Sequence, residues 1–317
     1  MKAEHKKHAE HDIREHHGRH GHHGHHGGHG PDRKRRKKKS QLLQIWKRMI
    51  KNRVSLVGFI IMVIIILLVC LAPVIAPYDP NAMDYSALHA LPSMKHPLGT
   101  DNIGRDILSR ILWGGRGSLL LGFICAIVGL IIGVAFGSIV GYAGKSVDMI
   151  VMRLCDVISS IPGMLMAILL STALGPGFVN TILAMTVGGI PNTIRGSRAM
   201  ALKEREMEYL EAAKAMNCSK AKIVFRHMVP NIVSPSIVGT TMMIGHSITS
   251  AASLSFVGLG IQPPNPEWGA MLSASKNFIL QYPHEILFPG IAILITVLAT
   301  NMIGDGLRDA LDPRLKD

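Results

Sequence analysis

Charged residues make up only 17% of this 317-residue chain, and cysteine occurs four times. Cys70, Cys125, Cys155 and Cys218 stand far apart, at no zinc-binding or redox spacing. That excludes a disulfide scaffold and gives the cysteines no metal or catalytic role; in apolar stretches they act as small hydrophobes. The chain lacks a Gly-x-Ser-x-Gly element and a metalloprotease His pair. Gly144-Lys145-Ser146 ends like a phosphate-binding loop, but position 139 is Ile where that motif needs Gly, and an apolar run precedes it. Nothing points to a hydrolytic or covalent active site.

What the chain does have is unevenly placed. The formal net charge is +13, yet 48% of residues are hydrophobic and the mean hydropathy is +0.29. Residues 1–53 hold 16 Lys+Arg against 5 Asp+Glu, and eleven of the 16 histidines precede residue 30. The basic character therefore belongs to a tail, and the body is an apolar protein of low charge density, unlike a soluble enzyme. In the tail, His/Gly repeats lead into 33–39, where all seven residues are Lys or Arg. Such a stretch cannot bury enough apolar surface to offset its ordering entropy, so 1–40 is expected to be disordered. No secretory signal is read there. No aromatic residues interleave with its charges for base stacking, so no nucleic-acid partner is expected.

Six apolar runs reach or approach the roughly 20 residues needed to cross a bilayer as helix: 54–75, 118–142, about 157–174, 178–194, 232–259 and 286–303. The fourth is short and interrupted by Gly188, Gly189 and Pro191. The expected fold is an all-α integral membrane protein with six transmembrane helices. With the tail inside, segment 195–231 is also inside and carries eight Lys/Arg, whereas the opposite-side loop 260–285 carries one, Lys276. Basic residues gather on the cytoplasmic side, so both termini are expected there. The chain then divides into a tail (1–40), a first helix with an extracytoplasmic segment (41–117), a core (118–303) containing the cytoplasmic segment 195–231, and a cytoplasmic end (304–317).

In the second run, Gly129, Gly133, Gly137 and Gly141 recur every fourth residue. In lipid this spacing makes a flat stripe along which another helix packs closely. Segment 202–231 is polar and helix-prone, with Glu204, Glu206 and Glu208 ahead of Lys214, Lys220, Lys222 and Arg226. It reads as two helical pieces with a break near Met216-Asn217, the second stopped by Pro230. Such an insertion protrudes from the membrane and is suited to docking a cytosolic partner.

Glu211-Ala212-Ala213, a short turn, and then Val229-Pro230 resemble the EAA loop of ABC importer permeases. His96-Pro97-Leu98-Gly99-Thr100-Asp101, Gly104-Arg105-Asp106 and Ser109-Arg110 are similar to the signature of C-type permeases of dipeptide and oligopeptide importers. So are Ala76-Pro77-Tyr78-Asp79-Pro80, Leu254-Ser255-Phe256-Val257-Gly258-Leu259-Gly260, Pro263-Pro264, Trp268-Gly269 and the ending from Gly304 to Arg314. The resemblance covers about 42–317 and leaves the tail without a counterpart. One departure is Asn217 where the EAA loop has Gly; after Gly, Asn best tolerates a left-handed backbone.

The resemblance implies a type I importer half, moving di- or oligopeptides by alternating access across a bacterial or archaeal cell membrane. It would pair with a second permease, dock two ABC ATPases, and receive substrate from an extracytoplasmic binding protein. The chain needs no cofactor of its own; ATP and Mg would be used by the partners. The docking residues implied are Glu208, Tyr209, Glu211, Ala212, Ala213, Asn217 and Pro230. A nickel or other metal-complex permease is the main alternative. A scaffold or channel is more remote, since a channel needs no docking helices. For the translocation path the candidates are His246, Thr241 and Ser250 in the polar fifth run, because an ionisable group at membrane depth is costly. Arg105, Asp106, Ser109 and Arg110 are expected on an amphipathic helix lying on the outer surface. In the tail, His22, His23, His25 and His26 are candidate ligands for Ni²⁺, Zn²⁺ or Cu²⁺.

Overall fold

The computed structural model describes residues 48–311. The His cluster and the end from Asp312 lie outside them. Among the described residues the architecture is all-helical, with one isolated bridge between Thr100 and Asp106. Its helices of eight residues or more are α1 (Arg53–Cys70), α2 (Ile107–Ala143), α3 (Lys145–Ser159), α4 (Gly163–Leu174), α5 (Phe178–Arg205), α6 (Glu208–Ala215), α7 (Val229–Phe256), α8 (Trp268–Ser275) and α9 (His284–Leu311). A helical turn at Lys220–Lys222 and a π-helical turn at Ile223–Met228 lead into α7.

Three of these, α1, α2 and α9, are long and apolar enough to cross a membrane, and α3 with α4 forms a fourth candidate bent by 80°. The helices α5 and α7 have 28 residues each, roughly 42 Å at 1.5 Å per residue. Inter-helix register fixes their directions. A methyl added at Gly133, Gly137 or Gly141 of α2 would meet Thr193, Ser197 or Ala201 of α5 in turn, so α2 and α5 run parallel. Gly58 faces Met302 and Gly306 faces Ser55, so α1 and α9 are antiparallel. Gly245 faces Thr300 while Gly304 faces Met242, which makes α7 antiparallel to α9. Since α2 and α5 point the same way, the bent pair between them must return the chain. Six passages through the bundle follow. Asn52, which caps α1 through Val54 and Ser55, also donates to Asp309 Oδ2 at 3.0 Å, so entry and exit lie at one end.

Several sequence expectations need correction. The third run is not one helix: it breaks at residues 160–162, where Pro162 has no N–H to continue the ladder. The fourth run is not interrupted; α5 passes through Gly188, Gly189 and Pro191 and continues to Arg205. Proline is tolerated inside a membrane helix when neighbouring elements take up the freed backbone groups. Pro230 does not stop a helix either. It lies at the second position of α7, directly after the π-helical turn, and the helical path continues through it.

The outer amphipathic helix is also overturned. Arg105, Asp106, Ser109 and Arg110 are all buried. Asp106 caps α2, accepting from the Ser109 amide at 2.8 Å, and lies 3.0 Å from His96 Nδ1. Asp101 pairs with Arg105 at 2.7 Å and approaches Arg110 Nε at 3.7 Å. The Arg110 Nη1 donates to the Pro80 carbonyl at 2.8 Å. These charges knit the irregular segment 77–106 into a cap rather than facing water. The cap reaches α9 through His89 Nδ1, 2.6 Å from buried Glu285. Separately, α2 is tied to the start of α8, where Glu267 accepts from Ser118 Oγ and the Ala270 amide. Arg116 donates to the last carbonyls of α1, those of Val69 and Cys70, at 3.1 and 3.0 Å.

Candidate functional site

At the bundle end shared by Asn52 and Asp309, α5 is followed by a short, separately capped helix. α6 buries Leu210 and Ala213 in an apolar bed formed with Ala201, Ile223, Met228, Ile232 and Val134. Its first turn carries Glu208 and Glu211 and its last turn Lys214, an order that suits the helix dipole. Glu208, Glu211 and Ala212 are exposed, so a polar face points away from the bundle. The helix ends in a Schellman turn. Asn217 N–H donates to Lys214 O at 2.9 Å, Cys218 N–H donates to Ala213 O at 3.1 Å, and Asn217 adopts φ 55°. Asn is one of few side-chain-bearing residues that enter this region readily, which is how the turn forms without Gly.

Tyr209 projects sideways from α6. Its hydroxyl donates to Glu204 of α5 and accepts from Asn231 Nδ2 of α7 at 2.8 Å. Burial, and then the Glu204 carboxylate, push the hydroxyl up to about 12. The partners of Tyr209 were not foreseen from sequence; the only available signal was a tyrosine on an otherwise polar helix.

The second feature is a cavity of about 450 Å³ between α2, α4, α5 and α7, within the size range of small-ligand sites. His246 and Ser250 line it, linked by a 3.1 Å Ser250 Oγ to His246 Nδ1 contact. Thr241 does not line it: its hydroxyl donates to Ile237 O, and its side chain lies toward Gly304 of α9. The wall also includes Thr186, Asn192, Ser247, Thr249 and Ser253, with Met164, Met185 and Met243. Among the described residues lining it, none is Asp, Glu, Lys or Arg. Asn192, an amide inside an apolar run, is the cavity residue that sequence could have flagged.

The glycine stripe touches this cavity at one end only. Gly129 lines it, while Gly133, Gly137 and Gly141 lie so close to α5 that an added methyl would sit 2.5–2.7 Å from its side chains. On the other side of α5, Arg198 pairs with Asp148 and Arg195 with Asp156, tying α3 to the same end of the bundle.

Comparison with known proteins agrees with these features. The family described as binding-protein-dependent transport system inner membrane component matches residues 133–317. The N-terminal TM domain of oligopeptide transport permease C matches residues 40–92. The chain is 43% identical over 274 residues to the glutathione transport system permease protein GsiD of Pectobacterium atrosepticum, covering 86% of this chain and 91% of that one. It is 42% identical over 271 residues to the dipeptide transport system permease protein DppC of Alkalihalophilus pseudofirmus, covering 86% and 89%. Among solved structures, an inward-facing MetNI methionine ABC transporter superposes with a TM-score of 0.52 at 18% identity, covering 64% of this chain and 97% of that one. At that identity the likeness shows the fold.

Proposed function

Because the chain belongs to the family of binding-protein-dependent transport system inner membrane components, we propose that it is the permease half of an ATP-driven importer for short peptides, including glutathione-like tripeptides. The observation that carries this is α6: a short helix seated on an apolar bed, with its acidic face exposed at one end of a membrane bundle. Such a helix is a docking element, and the energy for transport comes from separate ATPase subunits. Glu208, Glu211, Ala212 and the Asn217 turn form the docking surface, with ATP and Mg held by the ATPases. A second permease completes the path, and an extracytoplasmic binding protein delivers substrate. The Asn52–Asp309 end is the cytoplasmic one.

The cavity supports peptides as the substrate class. Its hydroxyl and amide groups, with His246 and Ser250, hydrogen-bond backbone-like groups without selecting a formal charge. Glutathione and dipeptides are named for two close relatives, and neither substrate requires a metal site in the wall. Transport follows alternating access, with helices rocking as packed bodies around the path.

The test is uptake by the reconstituted transporter of a labelled dipeptide and of glutathione, each competed by the other and by Ni²⁺. Glu211→Arg is expected to abolish uptake while the chain still inserts in the membrane. Full uptake by Glu211→Arg would refute the docking assignment, and competition by Ni²⁺ alone would refute the peptide assignment.

A further inference from the structure

The α6 helix is held at two levels. Below, Leu210 and Ala213 sit in their apolar bed. Beside them, one oxygen joins three elements. The Tyr209 hydroxyl donates to Glu204 Oε1 in the last turn of α5 and accepts from Asn231 Nδ2, in the first turn of α7, at 2.8 Å. The Asn231 nitrogen also donates to the His227 carbonyl of the π-helical turn at 2.9 Å. A carbonyl can only accept, so the amide nitrogen must face it, and its second proton is directed at the tyrosine oxygen. The His227 carbonyl is also a second, longer acceptor for the Tyr209 hydroxyl, at 3.4 Å.

We propose that Tyr209 is a positioning residue that makes α6 move as one body with both α5 and α7, so that a displacement of α6 reaches two membrane helices together. This rests on reading α6 as the docking helix. An apolar bed resists separation but not sliding, because burial is non-directional. Hydrogen bonds have strict distance and angle requirements, so the Tyr209 junction fixes the position of α6 along both helices. Because the hydroxyl is held up to about 12, it keeps the proton it donates across the physiological range. The π-helical turn supplies the third anchor; such turns are frequent where a helix serves a function.

The test uses the complete transporter in proteoliposomes, measuring uptake of labelled dipeptide and ATP hydrolysis in the same vesicles. In Tyr209→Phe the ring and its packing remain, and ATPase co-purification and hydrolysis are read alongside uptake. Uptake per ATP is expected to fall about five- to tenfold, the scale of one or two net hydrogen bonds. Glu204→Gln keeps an acceptor for the hydroxyl and is expected to retain the wild-type ratio, whereas Glu204→Ala falls with Tyr209→Phe. The double variant should be no worse than either single one. An unchanged ratio in Tyr209→Phe, or additive losses in the double variant, would overturn the proposal. If Tyr209→Phe does not assemble, the Glu204 pair decides, and equal ratios for Ala and Gln overturn it. Full uptake by Glu211→Arg would bring down the docking reading together with this one. A failed ratio test with Glu211→Arg inactive overturns the Tyr209 role alone.

Discussion

Replacing Gly137 by alanine should separate two helices that the rest of the bundle holds together. The new Cβ would lie 2.5 Å from Ser197 Cβ, 2.8 Å from Arg198 N and 2.9 Å from Ile194 O. Carbon contacts are comfortable from about 3.5 Å, so α5 must retreat by roughly 1 Å. A gap of that size forfeits a quarter to a half of each dispersion contact along the seam, and overpacking of this kind costs about 1–3 kcal/mol. Alanine returns up to about 1 kcal/mol as a better helix former than glycine. The net expectation is a loss of about 1–2 kcal/mol. Gly129, in the same stripe, is the internal control. Its nearest neighbours would be Met243 Cε at 3.6 Å and Thr193 Cγ2 at 3.7 Å, ordinary contact distances. Gly129→Ala should therefore be neutral or slightly stabilising. The assay is reversible unfolding of the purified complex in mixed micelles, read as the shift in midpoint at constant slope. Gly137→Ala combined with Ser197→Gly should recover part of the loss, and Gly133→Ala with Gly137→Ala should cost less than the sum because one retreat relieves both. The reasoning is refuted if Gly137→Ala matches the wild type, or if Gly129→Ala is as damaging.

Other outcomes follow from the remaining sites. Asp101→Ala strands the buried guanidiniums of Arg105 and Arg110 and should cost about 3–5 kcal/mol, measured as loss of assembled complex; assembly at wild-type yield would contradict a buried network. His246→Ala, at an exposed cavity position, should leave the unfolding midpoint within about 0.5 kcal/mol while changing the apparent KM for dipeptide; an altered midpoint with an unaltered KM would assign it a packing role. Uptake per ATP should stay flat between pH 6 and 9. The Tyr209 hydroxyl is held above its ordinary value, so its contribution is complete below about 10 and fades only as pH climbs toward about 12; a fall with pH inside that window would exclude its donor role. For the tail, a peptide of residues 1–30 is expected to bind Ni²⁺, and the same peptide with His22, His23, His25 and His26 replaced by Ala more weakly; equal titrations would remove the metal assignment.

The helix at 208–215 and the turn after it were legible because their signals are local. Glu208 to Ala215 are helix formers between breaks, and Asn217 is one of few residues that fit the left-handed turn. The glycine stripe was legible as a packing face, although its partner, the Thr193, Ser197 and Ala201 face of α5, was not, because register between distant helices leaves no periodic mark of its own. Segment 77–117 misled for a specific reason. Arg105, Asp106 and Arg110 have the spacing of a wet amphipathic helix, and only tertiary pairing with Asp101, His96 and Pro80 shows them to be interior. The bend at 160–162 lay inside a continuously apolar run, where composition cannot register a change of direction. The partners of Tyr209 on α5 and α7 left no mark in the sequence, because contacts between distant segments have no local signal.

The antiparallel seat of α1 on α9 has a consequence for how the protein is made. The first membrane helix finds its main neighbour in the last one, with Gly58 against Met302 and Ser55 against Gly306. At about 5–20 residues per second, the ribosome reaches that partner more than ten seconds after releasing α1. Until then α1 must persist in lipid alone, which its apolar run from Val54 allows because a helix satisfies its own backbone there. A chain cut short before α9 would therefore leave α1 inserted but unseated, with Asn52 facing no Asp309. Closure of that pair therefore waits on the synthesis of α9.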